Sequence, residues 1–235
     1  AMASLDHYGG PTWFRLGDRD LGTHLFRTGR LADEAGLAGV TAEVAEAWGL
    51  GFRLLPATED RLRTMVTLAD GDEVGFQEYF VGLRHDVPVS GIRFDGADDA
   101  LPGPGVLEAI TTAEAVVIAP SNPLVSIAPI LAVPGVRDAV AARRESAVAV
   151  SPIVGGSALK GPADRMLAEM GHESSVVGVA RLYRDLVATL VIDRVDADLA
   201  DEVEAEGVRC VVTDTVMRTT EVAAALAETT LGAVA

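Results

Sequence analysis

Four short apolar runs, at 115–119, 146–151, 188–193 and 208–213, alternate with helical patterns from about Pro104 onward. Runs this short and this rich in Val, Ile and Ala read as buried strands rather than helices. The segments at 104–113, 124–131, 134–144, 162–170, 174–185, 196–206 and 219–231 carry helical spacing instead. Strands that alternate with helices through short loops are expected to run parallel, because each return passes through a crossover helix. The fold class that follows is α/β: a Rossmann-like, mostly parallel sheet flanked by helices. A hydrophobic content of 49% with only 5% aromatic residues suits such an aliphatic interior. Asp196 and Thr219 or Thr220 are expected as N-caps, and Gly171 and Gly207 as helix stops.

Two of these strands end abruptly. Ala115-Val116-Val117-Ile118 runs into Ala119-Pro120-Ser121-Asn122-Pro123-Leu124, and Ala147-Val148-Ala149-Val150 into Ser151-Pro152 and the glycine-rich stretch Ile153 to Pro162. Open α/β sheets hold their ligands at the carboxyl ends of strands, so the two loops are expected to build one crevice. Ser121 and Asn122 are suited to donate hydrogen bonds to a phosphate or a base edge. The competing reading is a loop that closes on itself through Asx and Ser turns.

The formal net charge of −16 argues against general nucleic-acid affinity, because a phosphate backbone is repelled. It leaves room for an anionic small molecule, and it makes each inward-pointing cation count. Lys160 is the only lysine of the chain and lies in Gly155-Gly156-Ser157-Ala158-Leu159-Lys160-Gly161-Pro162. It is either a phosphate neighbour or the one surface lysine of an arginine-biased sequence. No stretch of eighteen uninterrupted apolar residues occurs, so a cytoplasmic protein without a membrane partner is expected. Cys210, the lone cysteine, reads as a packed thiol within Val208 to Val212. The sequence has no His/Cys/Asp/Glu spacing of a zinc site, no G-x-S-x-G elbow and no Walker loop.

The first hundred residues read differently. Helices are expected at about 18–35 and 40–48, the second with Val40, Val44, Ala47 and Trp48 at helical spacing. Strands are expected at about 52–55, 62–69, 73–81 and 89–95, with Asp70-Gly71 as a hairpin turn and an acidic linker from Asp98 to Pro104. The chain thus divides into a smaller α+β insertion or lid subdomain, 1–103, and the α/β half, 104–235. It opens Ala1-Met2-Ala3-Ser4, without the strand and glycine-rich loop that begin a doubly wound nucleotide sheet. The sheet is therefore expected to be built otherwise, or to have its first part upstream.

Polar groups concentrate in Leu16-Gly17-Asp18-Arg19-Asp20 with His24. Asp20 and His24, four apart, share a helix face, and Arg19 between two carboxylates is held ready for a phosphate or a planar ring. The plainer reading is a capped helix start, with Asp18 as N-cap and Asp20 in the first turn. In Phe76-Gln77-Glu78-Tyr79-Phe80, strand alternation puts Gln77 and Tyr79 on one face, with Phe76, Glu78 and Phe80 on the other. His85 and His172 are expected in exposed turns.

Five ordered motifs carry a family resemblance. They are Gly17-Asp18-Arg19-Asp20 with Thr23-His24; Leu54-Leu55-Pro56 with Asp60; Phe76-Gln77-Glu78; Pro120-Ser121-Asn122-Pro123 with Ser126-Ile127; and Val150-Ser151-Pro152-Ile153 with Gly161-Pro162-Ala163. The chain resembles a 2-phospho-L-lactate transferase, called phosphoenolpyruvate transferase in bacteria, from biosynthesis of the deazaflavin coenzyme F(420). The resemblance implies a Mg²⁺-dependent transfer of a phospho-linked three-carbon acid from its GDP-activated form to the ribityl hydroxyl of Fo, releasing GMP. It implies Arg19, Asp18 and Asp20 as catalytic, and His24, Gln77 and Glu78 as substrate-binding. Ser121, Asn122, Pro123, Ser126, Ser151, Pro152, Lys160 and Gly161 are implied to bind the nucleotide. It further implies a homodimer, and metal ligands in a region preceding this sequence. The alternative is a non-catalytic fragment that binds guanine nucleotide or Fo without turnover.

Overall fold

A computed structural model describes residues 7–9, 13–33 and 35–234. The opening Ala1-Met2-Ala3-Ser4 lies outside them. Helix α1 (Asp18–Ala32) packs against α2 (Leu37–Ala47), where the Arg30 guanidinium donates to both carboxylate oxygens of Glu43 at 2.8 and 2.7 Å. The N-cap of α1 is Gly17, not Asp18. Asp20 reaches back to accept from the Gly17 N–H at 3.3 Å, which moves the cap one residue earlier and leaves the Asp18 carboxylate to the N–H of Arg19.

Strands β1 (Arg63–Leu68), β2 (Glu73–Gly75) and β3 (Val89–Asp95) form an antiparallel sheet in the order β2-β1-β3. Asp70-Gly71 makes its first turn, with Gly71 at φ +94°. Two expectations fail here. Residues 52–55 form no strand, and the strand expected over 73–81 ends at Gly75, giving way to a π-helical turn, Glu78–Gly82. Phe76, Tyr79 and Phe80 also fit helical spacing, and the helical turn buries Tyr79 completely against Val66, Leu68, Val89 and Met166. Gln77 and Glu78 are left exposed, so Tyr79 shares no face with Gln77.

The remainder alternates as expected: α3 (Val106–Thr112), β4 (Val116–Ile118), a π-helical turn Pro123–Ile127, α4 (Ala128–Leu131), α5 (Val136–Ala142) and β5 (Ala147–Val150). A two-pair hairpin follows, β6 (Ile153–Val154) and β7 (Ser157–Ala158), then α6 (Ala163–Glu169), α7 (Val176–Tyr183) and β8 (Thr189–Asp193). The 3₁₀ segment Arg194–Leu199, α8 (Ala200–Ala205), β9 (Arg209–Thr213) and α9 (Thr220–Gly232) complete it. Strands β4, β5, β8 and β9 are all parallel, in the order β4-β5-β8-β9. Every residue of β5 and β8 is buried, so both sheet faces are covered. Ala149, Leu190 and Ile192 meet Val176, Val179 and Ala180 of α7 on one face, while Val148, Val150 and Val191 meet Leu226 of α9 on the other.

Gly171 and Gly207, at φ +77° and +89°, stop α6 and α8, and Thr219 caps α9 by accepting from the Val222 N–H. Asp196 is not a cap. The 3₁₀ segment leaves β8 without a loop, so Asp193 at the strand end caps it, accepting from Val195 N–H at 3.1 Å, and Asp196 is buried inside the turn. The antiparallel sheet docks on α6: Glu169 accepts from the Val89 N–H at 2.9 Å, and Arg165 donates to the Tyr79 hydroxyl. Cys210 packs against the core, where burial and then the Glu204 charge push its thiol up to about 11. Among the described residues no single helix is long and apolar enough to cross a membrane.

Candidate functional site

A cleft of about 540 Å³ opens beyond the carboxyl ends of the parallel strands. Its first wall follows β4 and consists of Pro120, Ser121, Asn122, Val125 and Ser126. The second follows β5: Ser151 and Pro152, then the hairpin and its continuation through Val154, Ala158, Leu159, Lys160, Gly161, Pro162 and Ala163. A third wall, Thr215-Val216-Met217, follows β9, and Phe76 and Phe80 close one side from the helical turn after β2. The Ser-Asn-Pro and Ser-Pro-Ile loops therefore face a common space. Adjacent parallel strands end at the same edge of the sheet, and that edge is where open α/β folds leave room for a ligand.

Local hydrogen bonding explains how each wall holds its shape. The Asn122 Oδ1 accepts from the Leu124 N–H at 2.9 Å, an Asx turn that stops β4 ahead of Pro123. Its amide nitrogen lies 3.8 Å from Met166 Sδ, a weak contact that leaves donor capacity. The Ser151 hydroxyl accepts from the Ile153 N–H and donates to the Ile153 carbonyl, both at 3.1 Å, so it is spent on its own turn. Thr215 donates its N–H and its hydroxyl to Asp193 at 2.8 and 3.0 Å. Burial works to raise the Asp193 carboxyl, but the hydrogen bonds from Thr215 and Val195 outweigh it and hold the group below the usual carboxylate range. The Ser-Asn loop closes on itself through an Asx turn, and Ser121, Ser126 and the exposed Lys160 line the cleft with donor groups.

None of the lining residues is acidic, and Lys160 is the one cation among them. In a chain of net charge −16, a lining with one cation and no acid places no like charge directly against a bound anion. The apolar part of the lining (Phe76, Phe80, Val125, Leu159, Val216, Met217) suits a ring system. Phe80 stacks on Phe76 at 5.6 Å and on His85 at 5.3 Å. His85 is thus half-buried rather than a free surface residue, because left-handed Arg84 and His85 (φ 52° and 47°) fold the ring back over Phe80. His172 is exposed, as expected.

Several expected site residues lie elsewhere. Asp18, Arg19, Asp20 and His24 are exposed on α1, which buries none of its residues and packs against α2 rather than forming a cleft wall. Gln77 and Glu78 point away because the helical turn directs Phe76 and Phe80 inward instead. Pro123 is buried beneath its wall. Thr215, Val216 and Met217 carry a signal in the sequence: the apolar run of β9 is broken by Thr213, Asp214 and Thr215, as those of β4 and β5 are broken by Pro120-Ser121 and Ser151-Pro152. The residues present do not fit a Mg²⁺ ion. The cleft lining offers no carboxylate, and the described residues contain no group of three or more His, Cys, Asp or Glu side chains placed to hold a metal.

Residues 1–231 match the family described as 2-phospho-L-lactate transferase CofD. A phosphoenolpyruvate transferase of Streptomyces griseus subsp. griseus is 45% identical over 232 residues, covering 97% of this chain and 73% of that protein. One from Mycolicibacterium smegmatis is 39% identical, over 96% of this chain and 71% of its own length. Among solved structures, a UPF0052-family protein of Bacillus halodurans shares the fold with a TM-score of 0.61 at 19% identity, covering 90% of this chain and 72% of its own.

Proposed function

The chain belongs to the 2-phospho-L-lactate transferase CofD family, and on that premise we propose the reaction it performs. A phospho-linked three-carbon acid, phosphoenolpyruvyl or phospholactyl, passes from a GDP-activated donor to the ribityl hydroxyl of the deazaflavin Fo. The hydroxyl oxygen forms a new bond to the phosphorus that bears the acid. The bond from that phosphorus to the GMP phosphate breaks, GMP leaves with the electron pair, and the hydroxyl proton passes to solvent. Such a reaction asks the protein for positioning and for neutralisation of charge.

The observation that carries this reading is a cleft free of acidic side chains, holding the only lysine of a strongly acidic chain, at the carboxyl edge of a parallel sheet. Lys160 neutralises the diphosphate, while Ser121 and Ser126 donate to its oxygens. Phe76 and Phe80 add apolar surface on one side of the cleft, against which a planar ring can lie. No step is assigned to Mg²⁺, whose ligands this cleft does not supply, nor to Arg19, which lies outside it.

The test is product formation from Fo and the GDP-activated acid, followed by chromatography. GMP appearing together with the phospho-acid derivative of Fo, and only when Fo is present, is the expected result. Binding of GDP with no GMP release favours the alternative, a nucleotide-binding chain without turnover.

A further inference from the structure

Two carboxylates, Asp193 and Asp196, sit buried at the carboxyl end of β8 with 5% and 4% exposure. Asp193 accepts from the Val195 N–H of the 3₁₀ segment, and the remaining donors to the two carboxylates lead into cleft walls. Asp193 takes the N–H and hydroxyl of Thr215, the first residue of the third wall. Asp196 takes the N–H of Gly155 on both of its oxygens, at 3.1 and 2.9 Å. Three donors offset the burial of Asp193, whereas the carboxylate of Asp196 is buried with the single Gly155 N–H as its partner and carries an uncompensated desolvation cost.

The Gly155 bond has a clear geometric consequence. Gly155 and Gly156 are both left-handed, at φ +59° and +76°, as a two-residue hairpin turn with the right twist requires. The hairpin they close has only two residue pairs, Ile153 with Ala158 and Val154 with Ser157, too few to be stable alone. Its return strand leads directly into Leu159, Lys160 and Gly161 of the cleft. Whatever fixes Gly155 therefore fixes where the lysine starts.

We infer that Asp196 is a positioning residue: by holding the Gly155 N–H it orients the β6–β7 hairpin so that Lys160 faces the Ser121 wall. The inference rests on the nucleotide reading of the cleft only for its effect on binding. Its effect on Lys160 stands apart from that reading.

The sequence supplies its own reporter, since Lys160 is the only lysine. Reductive ¹³C-methylation labels Lys160 and the N-terminal amine, the Lys160 resonance being assigned by its absence in Lys160→Arg, and GDP affinity is measured in parallel by calorimetry. In Asp196→Ala the Lys160 resonance is expected to shift, and the GDP dissociation constant to rise about tenfold. Asp196→Asn keeps one acceptor oxygen and is expected to leave both readouts close to wild type. An unchanged Lys160 resonance in a folded Asp196→Ala overturns the inference. Loss of that variant's cooperative unfolding transition overturns it too, since the carboxylate then serves the core rather than the hairpin. If wild-type protein fails to bind GDP while the resonance shifts as expected, the nucleotide reading fails and the positioning role stands.

Discussion

The two halves of this molecule bury their apolar residues in opposite ways. In the parallel half every position of β5 and β8 is inaccessible, and the helices on either face are held by what they cover. In the first hundred residues α1 buries nothing. Leu25, Phe26, Trp48, Phe52 and Leu54 are all exposed, Leu25 to 66%. Apolar content alone does not make a core. A strand between two parallel neighbours is enclosed by its own topology, whereas a helix at the margin is enclosed only where something lies on it.

That contrast is open to direct attack. Leu190→Ala, at a wholly buried position of β8, is expected to cost about 3 kcal/mol in chemical denaturation, through lost burial and the cavity left behind. Leu25→Ala is expected to stay within about 0.5 kcal/mol. Comparable losses at the two sites would end the comparison. Next in size, Lys160→Ala is expected to weaken GDP binding about tenfold, roughly 1.4 kcal/mol, with an unaltered melting temperature. Arg19→Ala is expected to leave GDP affinity as it is. A nucleotide defect in the arginine variant would bring α1 back to the cleft.

Thr215→Val removes one hydroxyl from the buried Asp193 while keeping the backbone donor, and a loss of about 1 kcal/mol in denaturation is expected. The smallest effects are in pH dependence. Asp193 is held below its ordinary value, so the stability it contributes is present above that value and lost as pH falls through the folded one. Asp196 runs the other way, because burial raises it. Its contribution is greatest below the unfolded value and declines as pH rises through the raised one. Melting curves of Asp193→Asn and Asp196→Asn across the acid range should lose these opposite slopes, and a common sign for both would show that burial does not outweigh the Gly155 bond at Asp196.

The sheet was legible in the chain because its strands are buried on both faces and punctuated at both ends. Val116–Ile118, Ala147–Val150, Thr189–Asp193 and Arg209–Thr213 all fall inside the runs expected for them. The stretch after Gly75 was not legible. Phe76, Tyr79 and Phe80 satisfy a short strand and a single helical turn about equally, and only the pocket beneath Tyr79 chooses between them. Asp196 misled for a related reason: its place in the chain suits a cap, but a helix that starts straight off a strand is capped by the strand's last residue.

From residue order alone followed the fold class, the family and two of the three loops that face the cleft, since strand ends and their breaks are local properties of the backbone. Tertiary structure alone decided which side chains share that space. It added Thr215-Val216-Met217 and the Phe76–Phe80 pair, and it set Arg19 outside. Distance along the chain carries no information about distance across a sheet edge, where loops after β4, β5 and β9, far apart in sequence, open onto one cleft.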